Sequence, residues 1–307
     1  MHASPSVAPV DELARASDAL AALSDEIHPI HPVTFESLED ALSDWRTPRS
    51  AGDLGTQFPR LLRRAHSRLR GAPERDAFNR ALVARLSSRL PLRLDDLDLP
   101  ASVLPRVPTA LRRLHSFLGE PSETYDLGDD DFLRDVRFAA GWTVPCGSEV
   151  IDLRARVSLR GSLQIALKAR VPSVGWRRLR PGDPPAWFAP HVESRYLDEF
   201  DEAGWEATYL NVAALLRRHT DVVGVVGYSW FYDPEVEVIS PWLAYLRRRP
   251  GEAGATFIRG HTTEFDVRNA TAKSRARKRL FEHGSYTPTG YKMIWLRRDI
   301  LSWAAGG

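Results

Sequence analysis

One cysteine in 307 residues, Cys146, excludes an intramolecular disulfide framework. That suits a reducing compartment. No run approaches about eighteen consecutive apolar residues, the length that reads as a bilayer-spanning helix, so no membrane span is expected. The first twenty residues lack a basic start followed by an apolar run, so no secretory signal is expected and a cytoplasmic location is. An excess of one charge is missing too. Forty-two Lys+Arg face 40 Asp+Glu, a formal net of +2, which argues against nucleic acid or a membrane surface as partner. Three chemistry-bearing signatures are absent: G-x-S-x-G, G-x-x-x-x-G-K-[ST] and G-x-G-x-x-G. Their absence counts against a serine-hydrolase elbow, a phosphate loop and a dinucleotide fold.

What is present is an ordinary globular composition, 43% hydrophobic and 27% charged, in a chain long enough to bury a core. Leu13, Ala16, Leu20 and Leu23 recur at spacings of three and four and predict a helix over 10–23. Further helices are expected over 34–45, with Thr34 as N-cap, over 58–69 and over 74–90, where Pro91 stops the last. Pro91, Pro100, Pro105 and Pro108 make 90–108 an extended connector. A short helix over 109–118 precedes the acidic stretch 126–131. The expected division is a helical N-terminal region, 1–125, and an α/β domain, 126–307.

In the second part the spacing changes. Residues 136–144 and 149–157 read as strands of a hairpin turning at Pro145-Cys146-Gly147-Ser148, and 162–171 as a third strand. A Pro-, Gly- and Trp-rich loop, 172–190, leads to a long amphipathic helix over 194–219. Residues 222–228 form a continuous apolar run, as in a strand buried on both faces. A helix to Arg249, a strand over 255–260, a basic helix over 269–283 and a closing strand over 291–296 complete an α/β layer pattern with a mixed sheet flanked by helices.

Ligands of open α/β sheets bind beyond the carboxyl ends of strands. At the end of the apolar strand stand Ser229, Trp230, Tyr232 and Asp233, which we read as a substrate pocket for a small molecule. The alternative is core packing by the rings, with Asp233-Pro234 starting a helix. His191 and Glu193 are candidate catalytic residues, either of them the base, with His191 oriented by a carboxylate if it is the base. Joined by His261 and Glu264 they could form a metal site, but the spacing is poor and no metal is expected. The helix over 268–279 carries six cations and no acid. It reads as a solvated face or as a surface for a phosphate-bearing partner.

The segment NATAKSRARKRLFEHGSYTPTGYKMIW resembles the closing helix–strand unit of GNAT-type N-acyltransferases, on Asn269, Leu280-Phe281-Glu282, Gly284 and 291–295. Phe281 stands where that family often has a tyrosine able to protonate a departing thiolate. Arg248-Arg249-Pro250-Gly251-Glu252-Ala253 has the letters of the family's pyrophosphate loop, [QR]-x-x-G-x-[GA]. The segments HVESRYLDEFDEAGWEATYLNVAALL and SWFYDPEVEVISPWLAYLR also resemble a bacterial protein family, a likeness that implies no activity. The GNAT resemblance implies a GNAT-like fold, acyl-CoA as cofactor, and Arg248, Gly251 and Asn269 as its contacts. It implies acyl transfer to a small amine. The competing expectation is a non-enzymatic ligand- or partner-binding protein using the basic helix. The oligomeric state stays open.

Overall fold

The computed structural model describes residues 8–44, 46–47, 49–50, 53–120, 125–168 and 185–306. Its N-terminal part is helical: α1 (Ala8–Ile27), α2 (Pro32–Asp40), α3 (Gln57–His66), α4 (Ala72–Ser88) and α5 (Arg106–Gly119). Helix α2 starts earlier than Thr34, because Pro32 supplies a first-turn φ that needs no donor. Helix α4 is buried nearly all round, and its Arg80 donates to the carbonyls of Phe117 and Leu118, both at 3.1 Å, closing the last turn of α5. Short 3-10 turns at Leu90–Arg93 and Asp95–Leu97 replace the extended connector.

The acidic stretch holds a helix start. Asp129 caps α6 (Asp130–Ala139) by accepting from the Asp131 amide at 3.0 Å, and Asp130 and Asp131 suit the positive helix end. The strand expected over 136–144 therefore shrinks to β1 (Thr143–Pro145), which pairs antiparallel with β2 (Glu149–Arg156) through the expected turn. Residues expected as a third strand form α7 (Leu159–Lys168), and 169–171 lie outside the described residues. The third strand, β3 (Ala186–Val192), falls where a loop was expected, while 172–184 lie outside the described residues. Its run Ala186-Trp187-Phe188-Ala189 is buried on both faces, so it lacks the alternation that marks a half-exposed strand.

The long helix begins late. A 3-10 turn spans Ser194–Glu199, and Asp201 then caps α8 (Glu202–Arg218) by accepting from Gly204 at 2.7 Å. Strand β4 (Val222–Ser229) follows, then a one-turn helix Val236–Ile239, α9 (Tyr245–Glu252) and β5 (Thr256–Arg259). The basic helix is two helices, α10 (Glu264–Ala272) and α11 (Arg275–Glu282), because Ser274 caps a new start by accepting from Arg277 at 3.3 Å. Strand β6 (Tyr291–Leu296) and α12 (Arg297–Trp303) close the described chain.

The sheet is six-stranded and mixed, ordered β1-β2-β3-β4-β6-β5. Among the described strands only β3 and β4 run parallel, joined through α8. Register sorts the side chains. Val150, Asp152, Ala189 and His191 share one face with α6 and α7, while Glu149, Ile151, Pro190 and Val192 share the other with α8. On that second face Trp205 of α8 stacks on Trp295 of β6 at 6.2 Å, with Tyr209 and Trp303 against them. One continuous core runs from Ala16 to Ile300, so the N-terminal helices and the sheet share it.

Gly224 marks a close approach. A Cβ there would collide with the Trp295 carbonyl of the adjacent strand. We expect Gly224→Ala to cost about 1–3 kcal/mol in urea unfolding. A loss under about 0.5 kcal/mol would mean that β6 yields freely.

Candidate functional site

Strands β3 and β4 pair only near their starts, at Ala186↔Val222 and Phe188↔Val225, with a register shift between. Beyond that point Ala189–Val192 pairs with β2 alone, and Val226–Ser229 with β6 alone. The carboxyl ends of the parallel pair thus part, leaving backbone donors and acceptors along two facing edges. This is where α/β sheets place ligands.

On the α6 face, beside the end of β3, lies a cavity of about 220 Å³. Leu114, Leu133, Phe138, Val150 and Phe265 supply apolar wall; His191, Glu193, Asp135, Arg134, Arg137 and Arg195 supply the polar part. Two buried ion groups hold these side chains. Arg137 pairs with Asp152, and Arg195 pairs with both Asp135 and Glu193, while the Tyr125 hydroxyl donates to Asp135 at 2.7 Å. Burial raises the Glu193 and Asp135 carboxyls, and Arg195 works against that rise. Burial, with Arg137 and Arg134 nearby, pushes His191 down to about 3. The imidazole is therefore neutral at physiological pH, a hydrogen-bond partner but a weak base.

On the α8 face Glu149 is buried at 1% exposure. Its interactions reach Tyr209 of α8 and Tyr232, the residue group that follows β4, so they cross the parted strands. Gly227 lets this happen, since a Cβ there would sit 2.9 Å from the Tyr232 hydroxyl. Burial pushes the Glu149 carboxyl up to about 7, moderated by the Tyr209 hydroxyl. Glu149 Oε2 and the hydroxyls of Tyr209 and Tyr245 are buried without an aligned hydrogen-bond partner among the described residues. Sequence reasoning missed Glu149. A single Glu opening a strand carries no signature, and only the fold brings three tyrosines to it.

The other candidates are scattered. Ser229 caps its own turn, accepting from Phe231 at 3.4 Å. Trp230 lies under the Arg277 guanidinium at 4.7 Å, and that arginine, buried, donates to Ala270 and Ser240; this cation of the basic run is a structural pin. Tyr232 is core. Asp233 accepts from the Glu235 and Thr289 amides and lines a second hollow. Arg248 and Gly251 lie inside α9 rather than in a strand-to-helix loop, and Arg248 meets Glu237 at 3.5 Å. A Cβ on Gly251 would make only ordinary contact with Phe257 at 3.6 Å, so nothing there demands glycine. Asn269 is exposed within α10. No cluster of three or more metal-binding side chains occurs among the described residues, and no helix among them is long and apolar enough to cross a membrane.

With this arrangement in view, the chain can be set beside known structures. The fold is shared with acyltransferases. An acyltransferase crystallised with decanoyl-CoA superposes with a TM-score of 0.51 at 12% identity, covering 86% of this chain and 76% of that one. An acyltransferase in complex with CoA and 10C-teicoplanin gives 0.50 at 10% identity, over 86% of this chain and 76% of that one. A third, with decanoyl-CoA and teicoplanin, gives 0.50 at 10%, over 85% and 76%. At these identities the likeness is one of fold. No family model and no curated protein matches the chain.

Proposed function

We propose that the protein is an acyl-CoA-dependent N-acyltransferase of GNAT-like architecture acting on a small amine. The observation that carries this reading is the parting of the parallel strands β3 and β4 beside a cavity and a buried titratable carboxyl. The shared fold with CoA-bound acyltransferases supports it.

The residues fit acyl-CoA at one end by one means and at the other by another. The facing edges of Ala189–Val192 and Val226–Ser229 offer backbone partners to an amide-bearing arm, and the orphaned Glu149 and Tyr209 atoms suit a polar group arriving between them. The first turn of α8 is taken by its own carboxylates, Asp201 on Gly204 and Glu202 on Arg249 at 2.7 Å. For Arg248 and Arg249 to hold phosphates, these would have to displace Glu237 and Glu202 from them.

When bound, acyl-CoA supplies a thioester whose C–S bond breaks as the amine's C–N bond forms. The chain's part is to prepare the amine. An amine entering the cavity in its neutral form can exchange a hydrogen bond with neutral His191, while Arg134 and Arg137 disfavour an ammonium there. Glu149 lies on the opposite, α8 face, so it takes the proton that the nitrogen must lose where the nitrogen reaches through the opening between β3 and β4; its proton affinity matches neutral pH. The apolar wall of Leu114, Leu133 and Phe265 keeps water from the acyl group.

The test is direct. With decanoyl-CoA or acetyl-CoA and a primary amine, the purified protein should release free thiol in step with amide formation. No thiol release above the uncatalysed rate, together with no rise in melting temperature on adding either thioester, would remove the reading.

A further inference from the structure

Lys292 stands apart from the other lysines. The chain has four, and Lys168, Lys273 and Lys278 are exposed while Lys292 is half-buried. It sits on β6 opposite Tyr228 of β4, so its Cα lies about 5 Å from the strand that edges the opening. Side chains alternate along β6, and Ile294, two residues on, packs with Trp187 and Ala189 of β3. Lys292 therefore projects on the α6 and α7 face, the face of His191 and the first cavity. Its row neighbour Tyr228 is bonded to α10, whose Phe265 lines that cavity: the Tyr228 hydroxyl donates to Asp266 at 3.3 Å.

The surroundings do not hold the Lys292 amine as an ammonium. Its Nζ reaches the first turn of α7, 3.3 Å from where a Cβ on Gly161 would stand. A helix start carries partial positive charge and disfavours a cation. No acid among the described residues pairs with the amine, and burial lowers its proton affinity below the ordinary value. An unpaired, partly desolvated lysine is free to act as a nucleophile.

We propose that Lys292 is a self-acylation site, taking an acyl group from the thioester that enters between β3 and β4. Nζ attacks the thioester carbonyl. The C–N bond forms, the C–S bond breaks with its electron pair leaving on sulfur, and the surplus proton on nitrogen passes through water to the thiolate. The products are an Nε-acyl-lysine and free CoA thiol. The donor's position rests on the acyltransfer reading; the lysine's surroundings do not.

The experiment follows each lysine by peptide mass spectrometry during incubation with acetyl-CoA, with and without a primary amine. Lys292 should gain its acetyl group at least about tenfold faster than Lys168, Lys273 or Lys278. Desulfo-CoA, which lacks the thioester, should slow the reaction at Lys292 and not at the other three. The chain unfolded in urea should show no preference. Lys292→Arg should leave the folded protein without the fast adduct, and the comparison among wild-type lysines decides the matter if that variant does not fold. Acylation of the amine with Lys292 unmodified, or modified no faster than the exposed lysines, overturns the inference and spares acyl transfer. A fast Lys292 adduct with no amine ever acylated upholds the inference and overturns the N-acyltransferase reading. Neither adduct nor amide overturns both.

Discussion

Glu149→Gln is expected to lower kcat/KM for acyl transfer by about 10²–10³-fold and to erase an acid limb centred near pH 7 in the wild-type profile. The carboxyl accepts a proton only when ionised, so wild-type activity should rise as pH climbs through about 7. The same group has a stability signature of fixed sign. Its folded-state affinity for a proton is raised from the ordinary 4.5 to about 7, so its favourable contribution is complete below pH 4.5 and lost as pH rises to 7. That window is worth about 3 kcal/mol at 1.36 kcal/mol per unit. The glutamine variant should lose this pH dependence and be the more stable protein at pH 8. If its pH–rate profile keeps the limb, the base lies elsewhere. His191→Ala should act differently, raising KM more than it lowers kcat, because a ring held near 3 does not collect the proton.

Arg195→Met is expected to destabilise the fold by about 3–5 kcal/mol, the largest single effect on stability that we foresee. Arg195 lies between Asp135 and Glu193, and removing it strands two buried carboxyls without a cation. The methionine stem replaces its packing, so the loss is electrostatic. Without the arginine both carboxyls should bind protons more readily, and the deficit should narrow as pH falls. Asp135→Asn with Glu193→Gln in the same chain should recover much of it. A loss under about 1 kcal/mol would mean that water already reaches these carboxylates.

The N-terminal helices were legible because their apolar residues recur at helical spacing on one face. Leu13, Ala16, Leu20 and Leu23 all meet the core. The apolar run of β4 and the closing strand were legible for a similar reason. Strand β3 was not, since a strand buried on both faces shows no alternation, and its prolines suggested a loop. Helix α6 was taken for a strand because Val136 to Val144 is apolar and compact, yet the Asp129 cap decides the matter. His191 and Glu193 could be picked by residue type, and they line one cavity. Their electrostatics could not be read, because Arg134 and Arg137 come from a helix more than fifty residues earlier. The aromatic tip at Trp230 and Tyr232 looked like a pocket on composition alone. In three dimensions Arg277 covers one ring and the core takes the other.

Hydrogen exchange on adding decanoyl-CoA tests most directly whether the donor enters between β3 and β4. Those amides of Ala189, His191 and Val192 and of Val226–Ser229 that face the opening should slow, while those of α1 to α4 stay unchanged. Unaltered exchange in both segments at a saturating thioester concentration, or slowing confined to the N-terminal helices, would contradict the account.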